Sequence, residues 1–479
     1  MNHVFNIMLT KNQTLFLIFS ICIITRVLSS IFYIEDIDSL RFALSVYEYD
    51  ITKLQPHFPG YPIFSFFAKF IYFFIGNMGV TFSLIGGMST FCIIYFLLKI
   101  ADLKPNSPDG YFMTFLILLN PLLWLISNRY MPDIMGLAIS ISSLHFLLNS
   151  ENNKHKVLFG FFLFGILAGI RLSYLPLLFI PAGYHLITKK EKIKLFLMFS
   201  IGCLIWLIPM ISITGFNDLW VFALDHTSGH FNDYGGTIYT ENNWTLRLTS
   251  FFRSIWADGF AGYWNHRSWI TLIISFYLIY FFKGVFNNYK KIYKNNKIIL
   301  YSILLYIIWV LLFQNIIFKT RHILPVLTIL ILMLSLGQTF TKLKSEKFKR
   351  YIHISYFSFL LSASLILVLQ HKKPSAIAQL KSQFIKKETR PTIITIPLIN
   401  YYLRSGGLKT VFINAEDQKK IGKFIESDFN GQAFMIGDFR NSFKHNFKIT
   451  KDTTFYHNPY VNRMWSELDI YSLKKENIK

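Results

Sequence analysis

Apolar residues in this chain are gathered into long runs, and the polar residues are bunched between them. Runs long enough to cross a bilayer, or close to it, recur at roughly 14–34, 78–98, 110–127, 133–149, 157–170, 174–188, 195–214, 268–282, 298–318, 323–340 and 351–370. They predict about 11 transmembrane helices. A further apolar stretch, 60–76, begins Gly60-Tyr61-Pro62 and ends at Gly76. The first run, about Leu15 to Tyr33, is interrupted by Arg26 and has no small-residue cleavage site after it. It reads as a retained span.

Beyond residue 371 the pattern changes. Thr392-Ile393-Ile394-Thr395-Ile396, Thr410-Val411-Phe412-Ile413 and Ala433-Phe434-Met435-Ile436 read as strands. A helix-like stretch to about Arg404 and another over 417–428 separate them. This β-α-β-α-β order predicts a small α/β domain. The fold class is thus an α-helical polytopic membrane protein with two parts. Residues 1–370 form the transmembrane domain, with long loops at 35–77 and 216–267. Residues 371–479 form an α/β domain.

Composition agrees with this reading. Of 479 residues, 53% are hydrophobic and 16% charged, and mean hydropathy is +0.39. Soluble chains carry about 25% charged residues, so a soluble enzyme, a disordered chain and a disulfide scaffold are excluded. Cys22, Cys92 and Cys203 lie inside apolar runs and read as small buried residues.

The net charge of +23 raises the question of nucleic acid. The positions of the charges answer it. If 60–76 lies along the outer face and 157–188 breaks near Arg171, Ser173 and Pro176, one side of the membrane receives 19 Lys and Arg. Lys190, Lys291, Lys342, Lys344 and Lys347 are among them. The other side's loops, although longer, hold ten. By the positive-inside rule the first side is cytoplasmic, and the basic charge serves orientation rather than nucleic-acid binding. A rival topology lets 60–76 cross and keeps 157–188 as one bent helix. It moves four lysines outside and puts Asp133 inside. In the first topology, eleven of the 16 acids before residue 371 are outside and none lies in the interior of a span, Asp133 standing at the outer end of its run. The α/β domain is then extracytoplasmic.

The outer segments carry the candidate chemistry. The first loop holds Glu35, Asp36 and Asp38 where the first span leaves the membrane, then Gln55-Pro56-His57-Phe58-Pro59-Gly60-Tyr61-Pro62. Three prolines and a glycine in seven residues impose a rigid path. A partly desolvated carboxylate there suits a general base; interfacial acids at a helix N-terminus are the plainer alternative. Asp133 follows Pro132 and reads as a helix first-turn acid or a second active-site acid. Lys319-Thr320-Arg321-His322 stands at a span end, where cations neutralise a lipid phosphate or snorkel. Arg171 offers another. In Asp225-His226-Thr227-Ser228-Gly229-His230, two His lie four residues apart with Asp nearby, but no third ligand has diagnostic spacing. No metal site is expected.

Taken together, these segments resemble the GT-C superfamily of membrane glycosyltransferases, which use polyprenyl-phosphate-linked sugars. Protein O-mannosyltransferases and lipid A aminoarabinose transferases are examples. The resemblance rests on Asp38-Ser39-Leu40-Arg41-Phe42-Ala43-Leu44 and on Gln55 to Pro62, where Phe58 replaces one Pro. Pro121 to Asp133, Gly169-Ile170-Arg171, His230-Phe231 and Arg321-His322-Ile323-Leu324-Pro325 follow in order. It covers about residues 14–340. It implies a catalytic base at Asp38, with Glu35 and Asp36 as competitors, and an outer juxtamembrane helix at 60–76. The expected catalytic residues are Asp38, Asp36 and Asp133. The expected substrate-binding residues are His57, Arg171, His230, Lys319 and Arg321. The implied donor is a polyprenyl-phosphate-linked sugar and the acceptor a glycan, lipid or protein hydroxyl. Membrane lipids are the other partners, and nucleic acid is not. The resemblance names no cofactor, and a divalent cation is compatible with the reading. The expected location is a bacterial inner membrane. A transporter or flippase of a lipid-linked glycan is the alternative, although transporters concentrate ionisable groups near the bilayer midplane.

Overall fold

The computed structural model describes residues 9–148, 154–341, 345–386, 391–427, 432–443 and 446–475. Lys342 and Lys344, used above to orient the chain, lie outside the described residues, as does residue 428 at the end of the predicted 417–428 helix. The chain divides into two compact units. One comprises residues 1–31 and 44–369; the other comprises 32–43 and 370–479. The segment 32–43, which the sequence assigns to the first loop of the transmembrane part, therefore groups with the C-terminal residues.

The first unit is helical. Among the described residues, six helices within it are long and apolar enough to cross a membrane: Lys11–Leu28, Met78–Ile100, Lys192–Thr214, Trp269–Asn287, Tyr289–Phe313 and Thr320–Phe340. A seventh, Glu346–Ile385, runs on past the unit's boundary. The pair Pro108–Leu118 and Pro121–Asn128, bent by 53°, makes an eighth if it counts as one span. The expectation of about 11 includes three further helices, Asp133–Leu148, Lys154–Ala168 and Pro176–Thr188, of 16, 15 and 13 residues. At 1.5 Å per residue these reach about 20–24 Å, short of the roughly 30 Å hydrocarbon core. The helix Pro62–Ile75 is shorter than a span as well, at 14 residues.

Local chemistry sets the helix starts. Thr10 caps the first helix in a capping box with Gln13, and Asn77, Ser107 and Asn120 cap three others. Pro62, Pro108, Pro121 and Pro176 occupy first-turn positions, where the missing N–H costs nothing. Gly165 and Gly202 bring Lys154–Ala168 and Lys192–Thr214 together: a Cβ on either would strike the backbone of the other helix.

Two buried arginines are absorbed by this architecture. Arg26, fully buried in the first helix, donates from Nη2 to the Leu118 carbonyl at 3.0 Å and lies 4.6 Å over the Trp124 ring. It thus satisfies a carbonyl at the end of Pro108–Leu118, where the helix leaves acceptors without intrahelical partners. Arg247, also fully buried, donates to the Leu311, Gln314 and Gly236 carbonyls at 2.6–3.0 Å. It closes the C-terminal end of Tyr289–Phe313 and ties the segment after 216 to it.

The second unit is built on a five-stranded sheet. β1 (Thr392–Thr395), β2 (Phe412–Asn414), β3 (Ala433–Ile436), β4 (Phe447–Tyr456) and β5 (Glu467–Lys475) lie in the order β2-β1-β3-β5-β4. β1 pairs in parallel with β2 and β3, and β5 pairs antiparallel with β3 and β4. Helices Pro397–Ser405 and Gln418–Glu426 make the parallel crossovers. Ile394, Ile413, Ile421, Phe424, Met435, Phe447 and Leu473 fill its core. The three parallel strands are those the sequence predicts. The β4–β5 hairpin was not predicted: β4 carries mostly exposed Lys, Asp and Thr, and β5 buries Leu468, Ile470, Tyr471 and Leu473 without strict alternation.

Candidate functional site

The helical unit brings three of the expected residues together. Asp133 opens the helix Asp133–Leu148, where the helix dipole favours a carboxylate. Arg171 sits in the break between Lys154–Ala168 and Pro176–Thr188, where the stretch 157–188 was expected to part. Arg321 lies in the 3-10 turn Thr320–Ile323 that leads into Leu324–Phe340. Arg171 Nη2 is 2.9 Å from Asp133 Oδ1, and Arg321 Nε is 3.7 Å from the same oxygen. Their exposures are 0% for Asp133, 5% for Arg171 and 7% for Arg321, so Arg321 does not snorkel. Counted by itself, this trio holds one carboxylate and two guanidiniums, and Arg321 has further partners beside it. Water is largely excluded, so these charges are weakly screened. Gly136, one turn after Asp133, gives Arg171 its space: a Cβ there would come within 2.5 Å of the Arg171 Cβ.

Tyrosines frame the cluster. Tyr174 donates to the Arg321 carbonyl at 3.1 Å and stands 3.5 Å from Asp133 Oδ1. Tyr306 donates to the His322 carbonyl at 3.0 Å. Arg171 Nη1 donates to Tyr61 Oη at 3.3 Å. Tyr61 is held in the left-handed region at φ 45° immediately after Gly60 at φ 85°, a backbone cost of the kind that persists where packing enforces it. A Cβ at Gly60 would meet Tyr49 Oη and Ile51. The Pro-rich segment thus aims the Tyr61 hydroxyl at Arg171.

His57 is linked to this cluster through Tyr61, whose Oη lies 3.3 Å from His57 Nε2. Beyond it the His57 and His226 rings are 6.0 Å apart, and those of His226 and His230 are 6.3 Å apart. His230 opens a π-helical turn, His230–Tyr234, and its Nε2 lies 3.1 Å from the Phe313 carbonyl. Burial, and then the nearby Lys319 charge, hold its pKa below the ordinary histidine value, against the opposing pull of that carbonyl. Lys319 is half-buried in the same neighbourhood. Among the described residues, no group of three or more His, Cys, Asp or Glu gathers in a way that would hold a metal ion.

Asp36 and Asp38 belong to the second unit. Asp36 ends the approach to the helix Ile37–Tyr47 and caps it: Oδ1 accepts from the Ser39 N–H at 2.9 Å. Its Oδ2 accepts from Asn462 Nδ2 at 3.2 Å. Asp38, in the first turn, is 3.8 Å from Arg41 Nη1. Glu35 Oε1 lies 3.4 Å from His371 Nε2. All three carboxylates are buried.

Sequence reasoning did not single out Tyr61, Tyr174, Tyr306 or Asn462. Tyr61 and Tyr174 stand inside segments it had marked, beside the charged residues they serve. Tyr306 and Asn462 carry no local signal, being a span residue and a loop residue in the C-terminal domain.

The long apolar helices, their polar breaks and the small mixed sheet define an integral membrane protein with a mostly helical polytopic body. No family model and no curated protein matches the chain. Among solved structures, its fold is similar to that of ArnT from Cupriavidus metallidurans bound to undecaprenyl phosphate. The TM-score is 0.52 at 11% identity, over 95% of this chain and 97% of that one. The apo state of the same ArnT covers the same shares at 12% identity with a TM-score of 0.49. At this identity the likeness to the undecaprenyl-phosphate-bound structure is one of fold.

Proposed function

We propose that this protein is an inverting glycosyltransferase. It moves a sugar from a polyprenyl-phosphate donor to an acceptor hydroxyl on the outer face of a bacterial inner membrane. The observation that carries the reading is the buried Arg171–Asp133–Arg321 cluster in a membrane-embedded fold. The likeness to ArnT supports it, since that protein's structure holds undecaprenyl phosphate.

The chemistry follows from charge. A polyprenyl phosphate leaves with its negative charge intact, so fixed cations must meet it. Arg171 and Arg321 fill that role, each able to grip a phosphate through paired N–H groups. Asp133 holds the two guanidiniums in place, and Lys319, His57 and His230 complete the substrate-binding set. An acceptor hydroxyl is a poor nucleophile. Asp38 takes its proton as the oxygen attacks the sugar C1, and in-line displacement inverts that centre. Asp36, whose oxygens accept from Ser39 and Asn462, caps the helix that carries Asp38. In this reading the helix Pro62–Ile75 lies along the outer face and residues 371–479 are extracytoplasmic.

The transporter reading is weaker. Among the described residues, the charge inside the first apolar span, Arg26, is occupied with the Leu118 carbonyl and Trp124. The test is sugar transfer from a polyprenyl-phosphate donor in liposomes. Wild type should transfer, and Asp38→Asn should lower turnover by roughly two to four orders of magnitude. Near wild-type turnover in Asp38→Asn would sink the assignment of the base.

A further inference from the structure

We infer that the C-terminal unit is the mount for the first-loop carboxylates, and that Asn462 is a positioning residue for Asp38. The inference rests on the proposed role of Asp38 as the base and assigns the C-terminal domain a task in the same reaction.

The starting observation is that residues 32–43 pack into one compact unit with 370–479. A short segment between a membrane helix and a Pro-rich turn has no core of its own. Its position is therefore set by whatever satisfies its backbone and buried charges. Here the C-terminal residues do so almost residue by residue. Tyr33 Oη donates to the His371 carbonyl at 2.7 Å. Tyr402 Oη donates to the Ile34 carbonyl at 2.7 Å, and Ser375 Oγ donates to the Glu35 carbonyl at 2.8 Å. His371 Nε2 faces Glu35 Oε1, and the Arg41 guanidinium lies 5.5 Å over the Tyr401 ring.

The decisive link is Asn462 to Asp36. Asn462 is itself fixed: its Oδ1 accepts from the Met464 N–H at 3.0 Å, and its carbonyl lies 2.9 Å from His457 Nε2. His457 Nδ1 in turn accepts from the Ala376 N–H at 3.0 Å. Asn462 is 6% exposed, so its Nδ2 donates to Asp36 Oδ2 out of bulk water. Asp36 uses its other oxygen to cap the helix that begins at Ile37 and bears Asp38 one residue further on. The orientation of Asp38 is thereby referred, through one cap, to the loop between β4 and β5. A polar linkage is suited to this because hydrogen bonds fix direction, whereas apolar packing alone tolerates sliding.

The test uses the full-length protein in liposomes. Asn462→Ala should lower kcat by about 10–100-fold, the scale of a misplacement near 1 Å, with the donor KM nearly unchanged. Amide exchange at Ser39 and Leu40 should speed up in the same variant, since the cap loosens. The swap Asp36→Asn with Asn462→Asp keeps a donor facing an acceptor with reversed polarity. It should recover most of the turnover that Asp36→Asn alone loses. Unchanged kcat and unchanged Ser39 exchange in Asn462→Ala would overturn the inference. So would a swap no better than Asp36→Asn, which would make Asp36 a proton acceptor. If wild type transfers no sugar, the proposed function falls, and Ser39 exchange alone then decides whether the C-terminal unit holds the segment.

Discussion

The helical unit buries one carboxylate, Asp133, between two guanidiniums, whereas the C-terminal unit buries three carboxylates within four residues, Glu35, Asp36 and Asp38. The first arrangement compensates charge with charge. In the second, Asp36 accepts from the Ser39 N–H and from Asn462, and His371 and Arg41 stand beside the other two acids. The difference teaches what each region is suited to. Buried guanidiniums favour an incoming anion. Carboxylates engaged by N–H donors, as Asp36 is by Ser39 and Asn462, are held in direction.

The sharpest way to break the comparison is to neutralise the single acid of the first cluster. Asp133→Asn should leave two buried guanidiniums facing each other, at a cost of roughly 3–5 kcal/mol. Folded yield and melting temperature in detergent should both fall steeply. Asp36→Asn should cost far less stability, because the amide oxygen still accepts from Ser39. Equal losses from the two would mean that both clusters are held together by charge.

A smaller effect sharpens the role of the guanidinium cluster. Arg321→Ala should weaken binding of a polyprenyl phosphate by about 10–100-fold, the worth of a hydrogen bond to a charged group. Arg321→Lys should fall between wild type and Arg321→Ala, because a lysine keeps the charge but loses the planar fork. Binding measured at equal folded concentration decides it; indistinguishable wild type and Arg321→Ala would remove Arg321 from the phosphate site.

The smallest expected effect concerns pH. The pKa of His230 is held below 6.5 mainly by burial. As pH falls, the unfolded chain therefore takes up the proton first, so this contribution to stability is complete above about pH 6.5 and declines below it. Melting temperatures at pH 7 and pH 5 should differ less in His230→Gln than in wild type. An unchanged difference would remove the histidine from the pH response.

Much of this was legible in the sequence because it is written locally. Apolar runs and the three parallel strands each depend on residues close together in the chain, so the helices and the sheet's first half follow from pattern. The break at Arg171 was legible for the same reason, from Ser173 and Pro176 beside it. The spans' number was not, because a helix of 13–16 residues can be a span or a packed inner helix, and length alone does not separate the two.

The sequence by itself determined that the chain is a basic, polytopic, membrane-embedded protein with its acids gathered in particular loops, and it marked Asp133, Arg171 and Arg321 as separate candidates. Only the tertiary structure decided that these three share one carboxylate oxygen, since positions 133, 171 and 321 meet only when helix ends far apart in the chain converge. Likewise it alone decided that Glu35, Asp36 and Asp38 belong with residues beyond 370. A hydrogen bond from Asn462 to Asp36 has no periodicity and no motif; it exists because the loop after β4 is folded back to where residue 36 lies.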